Sequence, residues 1–367
     1  MPRIQIIRPL LLFFAVAGCG PSISAPKVVE LPAAKDSEVT VLAAVGDIMI
    51  GHAANKLIKA EGYDPLFAGV APLLADADLR MGNLEAPITA HKDKASEDKK
   101  YSYKMRPKVA QVLKEQGLDL LDLANNHTLD YGLKGLQDTI KHLEEQGLLH
   151  LGAGLSEDEA RRGLVLAFEG GARVGMLAYL QSFGAMRKWN WYADGDSPGL
   201  ALADSKSMRA DIGRMRRHAD VVIVQLHFGK NYKPITTTQQ RLAHAAIDAG
   251  ADLVIGHHPH IAQAIELYQS KPIIYSLGNY VFNTTGRFPT LDQPGFVLVA
   301  NIELSKSGIR AINIQGMFLD NRQVKFRPRP LTINETQEDL LPILEERGVS
   351  LTPQGSMLRW QLEEKQQ

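Results

Sequence analysis

The sequence predicts an α/β fold, and three features of the chain support this prediction. Several short runs are almost continuously apolar and rich in β-branched residues, which is typical of buried strands. The helical segments between them stop at glycine, a residue that often follows the last turn of a helix. The order helix, glycine, strand recurs three times, as EQGLDLL, EQGLLHL and DAGADLVI. This recurrence indicates repeated α/β units of one layered fold, for which 367 residues are ample.

The predicted strands are apolar runs that are too short to be helices. They cover residues 39–45, 119–124, 221–226, 253–255 and 272–277. The run at 119–124 is the weakest of these, and residues 296–316 have the pattern of further β-structure near the end of the fold. On its own, this pattern predicts a single parallel sheet, because helices alternate with the first strands.

Helices are predicted at residues 107–116, 133–146 and 238–249, each followed by glycine. Two polar stretches, residues 85–106 and 185–206, are predicted to be long loops. The second loop holds Trp189, Trp191 and Tyr192, for which packing is the simpler interpretation and a substrate platform the alternative.

The first residues have the pattern of an export signal. Arg3 and Arg8 precede an apolar run at residues 9–17, which is shorter than the roughly 20 residues that a membrane-spanning helix needs. The run ends at Val16-Ala17-Gly18-Cys19, which resembles a bacterial lipobox, and Cys19 is the only cysteine of the chain. We therefore expect a signal peptide at 1–18, a lipidated Cys19, and a tether at 19–38. The alternative is an ordinary cleaved signal with an incidental cysteine.

These features predict an exported lipoprotein that is anchored to the membrane, on the periplasmic face or at the cell surface.

The balance of charged residues excludes nucleic acid as an expected partner. Lys+Arg and Asp+Glu number 41 each, so the formal net charge is zero, and no Lys/Arg-rich run is present that would follow a phosphate backbone. Nucleic acid is not an expected ligand, and binding of a polyanion would depend on a local patch.

Polar clusters follow nearly every predicted strand. They are Gly46-Asp47 with His52 close behind, Gly82-Asn83-Leu84-Glu85, Asn125-Asn126-His127-Thr128-Leu129-Asp130, His227-Phe228-Gly229, Gly256-His257-His258-Pro259-His260 and Gly278-Asn279. In a parallel α/β sheet the carboxyl ends of the strands share one edge, where ligands bind. The sequence therefore predicts a polar site at that edge.

The residue types in these clusters suit a divalent transition metal. Imidazole, carboxylate and amide oxygen are ligands for Zn, Mn or Fe, and no thiolate is available. His-Pro-His places His258 and His260 on one side of an extended turn, and alternation predicts that His257 points away. The alternative is a polar pocket that binds an organic ligand without a metal.

Taken together and in this order, the clusters resemble the CapA family of capsule (poly-γ-glutamate) biosynthesis proteins over about residues 40–285. The set ANNHTLDYG, GHHPH and YSLGN is highly specific. The family is similar in fold to the calcineurin-like metallophosphoesterases. The resemblance thus implies a four-layer α/β/β/α sandwich, with two mixed sheets between helices, over residues 39–332. A peripheral helical tail is expected at 333–367.

The resemblance also implies roles for individual residues. Metal ligands are expected at Asp47, Glu85, Asn126, His227, His258 and His260, with Glu85 at the place of an acidic bridging ligand. His127 matches the histidine near the leaving group, which implies a general acid. Asp130, three residues later, can orient the ring of His127 or cap the next helix. The remaining pocket residues are expected to be His52, Asn83, Asn125, Gly278 and Asn279.

The sequence departs from the phosphoesterase pattern at three places. Ile48 and Met49 follow Asp47 where those enzymes usually have Asp-x-His, and the second cluster is Asn-Leu-Glu instead of Gly-Asp. Asn231 stands where capsule relatives often carry an acid. These departures predict an incomplete dinuclear site, with one metal or none.

Three functions remain open at this stage. The first is a metal-dependent hydrolase or transferase that cleaves a phosphoester or γ-glutamyl bond of an anionic surface polymer or its precursor. The second is a non-catalytic subunit that handles the polymer together with separate membrane-bound synthase or export subunits. The third is a module that binds a small anion.

Overall fold

The structure is a computed structural model of the chain and describes residues 23–36, 38–285 and 288–362. The predicted signal peptide and Cys19 lie outside the described residues. Among the residues that are described, no helix is both long enough and apolar enough to cross a bilayer.

Two mixed β-sheets form the centre of the described fold. The first has seven strands, in the spatial order β1 (Lys27–Leu31), β7 (Leu164–Phe168), β8 (Arg173–Leu180), β10 (Val221–His227), β11 (Leu253–His257), β13 (Lys271–Ile274) and β12 (Ile265–Tyr268). The second follows the order β18 (Thr352–Gln354), β19 (Met357–Gln361), β16 (Gly308–Phe318), β15 (Phe296–Ser305), β2 (Thr40–Met49), β3 (Leu79–Leu84), β4 (Leu120–Asp122) and β5 (Leu149–Leu151). Two short strands extend it, β14 (Asn279–Phe282) beside β2 and β17 (Arg329–Pro330) beside β16, and a separate ribbon pairs β6 (Ala153–Gly154) with β9 (Gly199–Leu200).

The helices lie between and after these strands. The α-helices are α1 (Asn55–Glu61), α2 (Lys108–Glu115), α3 (Gly132–Glu145), α4 (Glu157–Arg162), α5 (Gly184–Lys188), α6 (Ser205–Met215), α7 (Thr237–Asp248), α8 (Asn321–Val324) and α9 (Leu341–Glu345). Short 3-10 helices cover His52–Ala54, Asp64–Leu66, Ala71–Leu74 and Pro289–Leu291, and a π-helix covers Glu335–Leu340. The predicted helices at 107–116, 133–146 and 238–249 correspond to α2, α3 and α7.

Side-chain alternation along β10 reveals the layers. Val222 and Val224 pack in a cluster with Met208 of α6 and Leu242 of α7, so this face of the first sheet carries helices. Ile223, which lies between these two valines and points to the opposite face, belongs to the cluster that is shared with the second sheet and with α2 and α3. The order is therefore helix, sheet, sheet, helix, and the four-layer sandwich implied by the resemblance is confirmed.

The expectation of a single parallel sheet was wrong. β2, β3, β4 and β5 are parallel neighbours in the second sheet, whereas β8, β10, β11 and β13 are parallel neighbours in the first. Both sheets also contain antiparallel pairs, such as β7 with β8 and β15 with β16. Each helix–strand unit has the same local pattern in either sheet, and only long-range pairing assigns it to one of them.

Two segments at the ends of the chain differ from their predicted structure. The predicted helical tail is described as far as residue 362, and within that part only its beginning is helical, because β18 and β19 follow α9 and β19 pairs with β16, burying Trp360. Within the predicted tether, β1 pairs with β7 in the first sheet. β1 is a short, largely exposed edge strand, and its pairing with β7 uses backbone groups, so it forms without the apolar alternation that would have predicted a strand. The domain boundaries themselves stay a prediction.

The predicted loops are mostly irregular. Residues 86–106 contain no named helix or strand, although Ile88 and Met105 form an isolated bridge and are buried. In the second loop, α5 and β9 interrupt the irregular chain. Trp191 is 5% exposed, and the Tyr192 hydroxyl donates to the Gln181 carbonyl, so both residues pack against the fold, as the simpler interpretation predicted.

Candidate metal centre

Neighbouring strand ends of both sheets bring the predicted residues together. In the second sheet Asp47 on β2 pairs in register with Asn83 on β3, and Asn279 on β14 pairs with Asp47 from the other side. In the first sheet His227 and His257, the last residues of β10 and β11, are register partners. Parallel pairing places these ends at one edge, so the cluster follows from sheet topology.

Two groups of buried side chains have ligand atoms within 4.8 Å of one another. One group is Glu85, His227 and His258, and the other is Asp47, Glu85 and His260. Glu85 belongs to both groups. Membership of both groups is compatible with the acidic bridging ligand that the resemblance implied for Glu85, and that role stays a prediction.

The surroundings of Glu85 fit a cation. The side chain is fully buried, and neither carboxylate oxygen has a hydrogen-bond donor among the described residues. Nε2 of His227 and Nε2 of His260 each lie 3.8 Å from Oε1, which is beyond hydrogen-bond distance. Burial, and next the charge of Asp47, raise the pKa of Glu85 well above its usual value. A buried, unpaired carboxylate is costly, and a bound divalent metal would remove that cost.

Asp47 is buried like Glu85 but is well paired. Its Oδ1 accepts a hydrogen bond from the Asn83 amide at 2.8 Å, and its Oδ2 lies 3.1 Å from Nδ1 of His260. Burial acts to raise the pKa of Asp47, but hydrogen bonds from His257 and His260 outweigh it and hold the pKa well below the usual value. Asp47 is therefore an ionised carboxylate in the protein interior, as a metal ligand must be.

His227 lies at the middle of the cluster. Its Nε2 is 2.7 Å from the Asn126 amide oxygen and 3.0 Å from Nδ1 of His258, and its Nδ1 is 3.2 Å from the Asn83 amide nitrogen. Burial, and then the neighbouring histidines, lower the pKa of His227 well below its usual value and that of His258 to about 3. Both rings are therefore neutral near pH 7, the form in which imidazole binds a metal.

His127 and Asp130 form a pair beside this cluster. Nδ1 of His127 lies 2.7 Å from Oδ2 of Asp130, which also accepts a hydrogen bond from the Tyr103 amide at 2.7 Å. Burial, and next the charge of Lys99, lower the pKa of His127 to about 4. Asp130 thus orients the imidazole, as one of its two predicted roles required, and the ring is neutral in the free protein.

The other predicted pocket residues hold the ligands in place, with one exception. Asn125 donates to Oδ1 of Asn83 at 3.0 Å, and Oδ1 of Asn279 lies 2.9 Å from Nδ1 of His260. Gly278, with φ of 72°, accepts a hydrogen bond from the Asp47 amide through its carbonyl at 2.9 Å. His52 does not join the cluster, because it is exposed and its ring packs at 4.9 Å on Tyr103.

The prediction for His257 was wrong. His257 does not point away from the site: it is fully buried, and its Nδ1 lies 3.5 Å from Oδ1 of Asp47. The simple alternation of an extended chain fails here because His258 and His260 have positive φ, 96° and 62°. Positive φ at two non-glycine residues is uncommon and is often found at functional sites.

Lys99 also lies at the centre, although no motif in the sequence predicted it there. Its side chain is 10% exposed and contacts Asp130, Nδ1 of His127 at 3.2 Å and the Asn126 carbonyl. The amine also lies 5.0 Å from the centre of the Trp191 ring. Residues 85–106 contain several lysines, and no local pattern distinguishes the one that reaches inward.

Known proteins provide an independent comparison. The family model described as bacterial capsule synthesis protein PGA_cap matches residues 41–284. A PGA biosynthesis protein CapA of Bacillus subtilis is 36% identical over 257 residues, which is 69% of this chain and 67% of the relative. A capsule biosynthesis protein CapA of Bacillus anthracis is 33% identical over 291 residues, 77% of this chain and 69% of the relative. A probable polyglutamine synthesis accessory protein of Mycobacterium tuberculosis is 35% identical over 219 residues, 57% of each chain.

The family match covers every strand end that contributes to the candidate metal centre, from Asp47 to Asn279. The two Bacillus relatives extend over about two thirds or more of this chain and of their own length. The chain belongs to the PGA_cap family of bacterial capsule synthesis proteins.

Proposed function

We propose that this protein acts in the biosynthesis or export of a poly-γ-glutamate-like capsule polymer, and that its buried centre is a metal-dependent hydrolase or transferase site. The names of the relatives support the polymer, since two are named for PGA or capsule biosynthesis and a third for polyglutamine synthesis as an accessory protein. One observation carries the catalytic part. Glu85 is fully buried, shared by two groups of ligand atoms, and unpaired at both oxygens among the described residues.

The residues that would hold the metal are those of the two groups, with Asn126 beside them. When bound, the metal would polarise a phosphoryl or acyl oxygen and lower the pKa of a bound water. Zn, Mn and Fe all accept imidazole and carboxylate ligands, so the donor set leaves the identity of the metal open.

His127 supplies the proton chemistry in this proposal. Asp130 engages its Nδ1, which leaves Nε2 for the substrate. The ring is neutral in the free protein, because burial and Lys99 lower its pKa to about 4. An anionic group of the substrate beside the ring raises that pKa, since a nearby negative charge favours the protonated form. His127 would then donate its proton to the leaving group.

The cellular location of the protein is part of the proposal. We expect an exported lipoprotein, tethered through Cys19, that meets the polymer at the outer face of the membrane. The apolar run at 9–17 and the lipobox-like Val16-Ala17-Gly18-Cys19 support this location. Separate membrane-bound subunits would then perform synthesis or transport.

Elemental analysis of natively purified protein tests the metal centre. Wild type should contain a divalent transition metal, and both Glu85→Gln and the double change His258→Ala, His260→Ala should lose it. Loss of a ligand should weaken metal binding by at least the ~10–100-fold that is typical of changes around a ligand. His142→Ala on α3 removes an imidazole far from these ligands and should retain the metal. Wild type that stays metal-free after incubation with Zn, Mn and Fe would contradict the proposal.

A non-catalytic, polymer-handling subunit is the second candidate. It is favoured by the position of His52, which lies outside the cluster although it is the histidine that follows Asp47 most closely in the sequence. The two candidates differ in turnover. A catalytic centre releases product from a phosphoester or γ-glutamyl substrate with at least one metal. A handling subunit does not, and it co-purifies with membrane proteins.

A further inference from the structure

A cavity of about 320 Å³ opens beside the candidate metal centre. Its charged lining residues are Lys104 and Arg106, and no carboxylate lines it among the described residues. Three other cavities differ in this respect, since each is lined by at least one glutamate. These glutamates are Glu144, Glu346 and Glu38, one for each cavity. Its volume is in the range of sites that bind small molecules or polymer segments.

Two cations face this cavity. The amine of Lys104 lies 4.6 Å from the centre of the Tyr131 ring and donates to the His91 carbonyl. Arg106 is exposed, and within the described chain its guanidinium has no hydrogen-bond or ion-pair partner. A guanidinium offers a fork of donors that matches a carboxylate. The cavity is therefore prepared for an anion, which no side chain of its lining provides.

Neutral donors complete the lining. The hydroxyl of Ser102 is buried and has no hydrogen-bond partner among the described residues. Asn55 and His52 also line the cavity. A buried hydroxyl without a partner costs free energy, and a bound acceptor would offset that cost.

The cavity and the metal centre are separated by one aromatic side chain. The ring of Tyr103 lies 4.9 Å from that of His52, which lines the cavity, and 4.6 Å from that of His127, which belongs to the centre. Tyr131, another lining residue, directly follows Asp130 in the chain. A polymer whose reacting bond lies at the metal centre would thus have the anionic group of the adjacent repeat within reach of the cavity.

From this arrangement we infer that the cavity is a subsite for a carboxylate of a polyanionic polymer, next to the repeat whose bond lies at the centre. The inference rests on the proposed function and adds to it the residues that recognise the polymer. Lys104 and Arg106 bind the carboxylate, and Ser102 donates a hydrogen bond to it. The subsite selects a polymer that bears one carboxylate on each repeat over a single small substrate.

Calorimetric titration of the full-length protein with γ-linked glutamate oligomers tests the subsite. The variant is the double change Lys104→Gln, Arg106→Gln. The matched control is Lys206→Gln, Arg209→Gln, which removes the same charge from the exposed face of α6. The subsite variant should bind the oligomer at least roughly tenfold more weakly, because it loses charge-assisted hydrogen bonds. The control should bind within about twofold of wild type.

Three outcomes separate the inference from the proposed function. Equal oligomer affinity of wild type and subsite variant overturns the subsite and leaves the proposed function standing. A wild type that binds no oligomer overturns both. Equal loss in subsite variant and control shows a general charge effect and also overturns the subsite. If the Lys104 change unfolds the protein, by loss of its contact with Tyr131, the single change Arg106→Gln at an exposed position takes its place.

Discussion

At the scale of single residues, the buried polar groups of the centre differ in how well the protein satisfies them. Asn83 uses both ends of its amide, donating to Asp47 and accepting from Asn125. Asp130 accepts from Lys99 and from the Tyr103 amide and also contacts His127. Glu85 alone among the predicted ligands has two buried oxygens without a donor in the described chain. The contrast supports the proposal that Glu85 takes a ligand.

The role of His127 can be tested through the leaving group. If His127 is the general acid, His127→Ala should reduce turnover by roughly 10²–10⁴-fold, because the leaving group must then depart unprotonated. A nitrophenyl ester has a leaving group of low pKa and needs little protonation, so its turnover should fall much less. Steady-state rates of wild type and variant on both substrates measure the difference.

A structural role for His127 makes a different prediction. It predicts equal losses for both leaving groups, together with a lower metal content or a lower Tm. His142→Ala on α3 makes the same chemical change outside the centre and should leave the rates unchanged. Losses that are independent of the leaving group would contradict the general-acid role.

At the scale of elements, the N-terminus of α7 supports the turn that carries His227. Thr236 and Gln239 form a capping box, in which the Thr236 hydroxyl accepts from the Gln239 amide and the Gln239 side chain accepts from the Thr236 amide. Gln239 also packs against Gly229, where a Cβ would lie 2.5 Å from its side chain. Gly229 has φ of 94°, so glycine is required for its conformation as well as for this contact.

Thr236→Ala should therefore lower the free energy of unfolding by about 1 kcal/mol, which is typical of a lost N-cap. Urea unfolding, followed by circular dichroism, measures the change. Thr237→Ala is the matched control, because Thr237 is exposed and is the first residue of α7 instead of its cap. Equal effects of the two changes would show that the capping box contributes nothing specific.

At the scale of the whole molecule, the centre lies where the two sheets meet. Asp47, Glu85 and Asn126 come from the second sheet or its loops, and His227 and His258 come from the first. A metal bound to both sets would link the sheets and stabilise the fold by mass action. The centre is thus a property of the sandwich, and neither sheet alone would form it.

Anchoring also concerns the whole molecule. Cys19→Ala should release the protein into the soluble fraction or leave an uncleaved precursor, because the proposed lipid attachment requires the thiol of Cys19. Fractionation of cells and the mass of the processed protein measure the two outcomes. Cys19 is the only cysteine, so the substitution disturbs no disulfide. Unchanged membrane partition together with an unchanged processed mass would rule out the lipoprotein.

The sequence by itself determined the features that are encoded locally. Apolar runs identified β2, β10 and β11, and terminal glycines identified the ends of α2, α3 and α7. The polar residues that follow the strands were identified as one site, because the carboxyl ends of parallel strands lie at one edge of a sheet whatever the order of the strands. His227, His258 and Glu85 were named in this way, and the structure places them together.

Only the tertiary structure decided what depends on contacts between distant residues. The division into two mixed sheets depends on which strands pair, and units of similar local pattern lie in both. β19 joined the second sheet through pairing with β16, a partner more than forty residues earlier in the chain that its own short apolar alternation could not identify. Lys99 reached Asp130 because a long loop folds back over the centre. His257 faced Asp47 because it lies on the same face of β11 as Leu253 and Ile255, which pack towards the second sheet, and positive φ at His258 breaks the alternation only after it. In each case the outcome depends either on a contact between residues that are far apart in the sequence or on a backbone conformation that the local sequence does not specify.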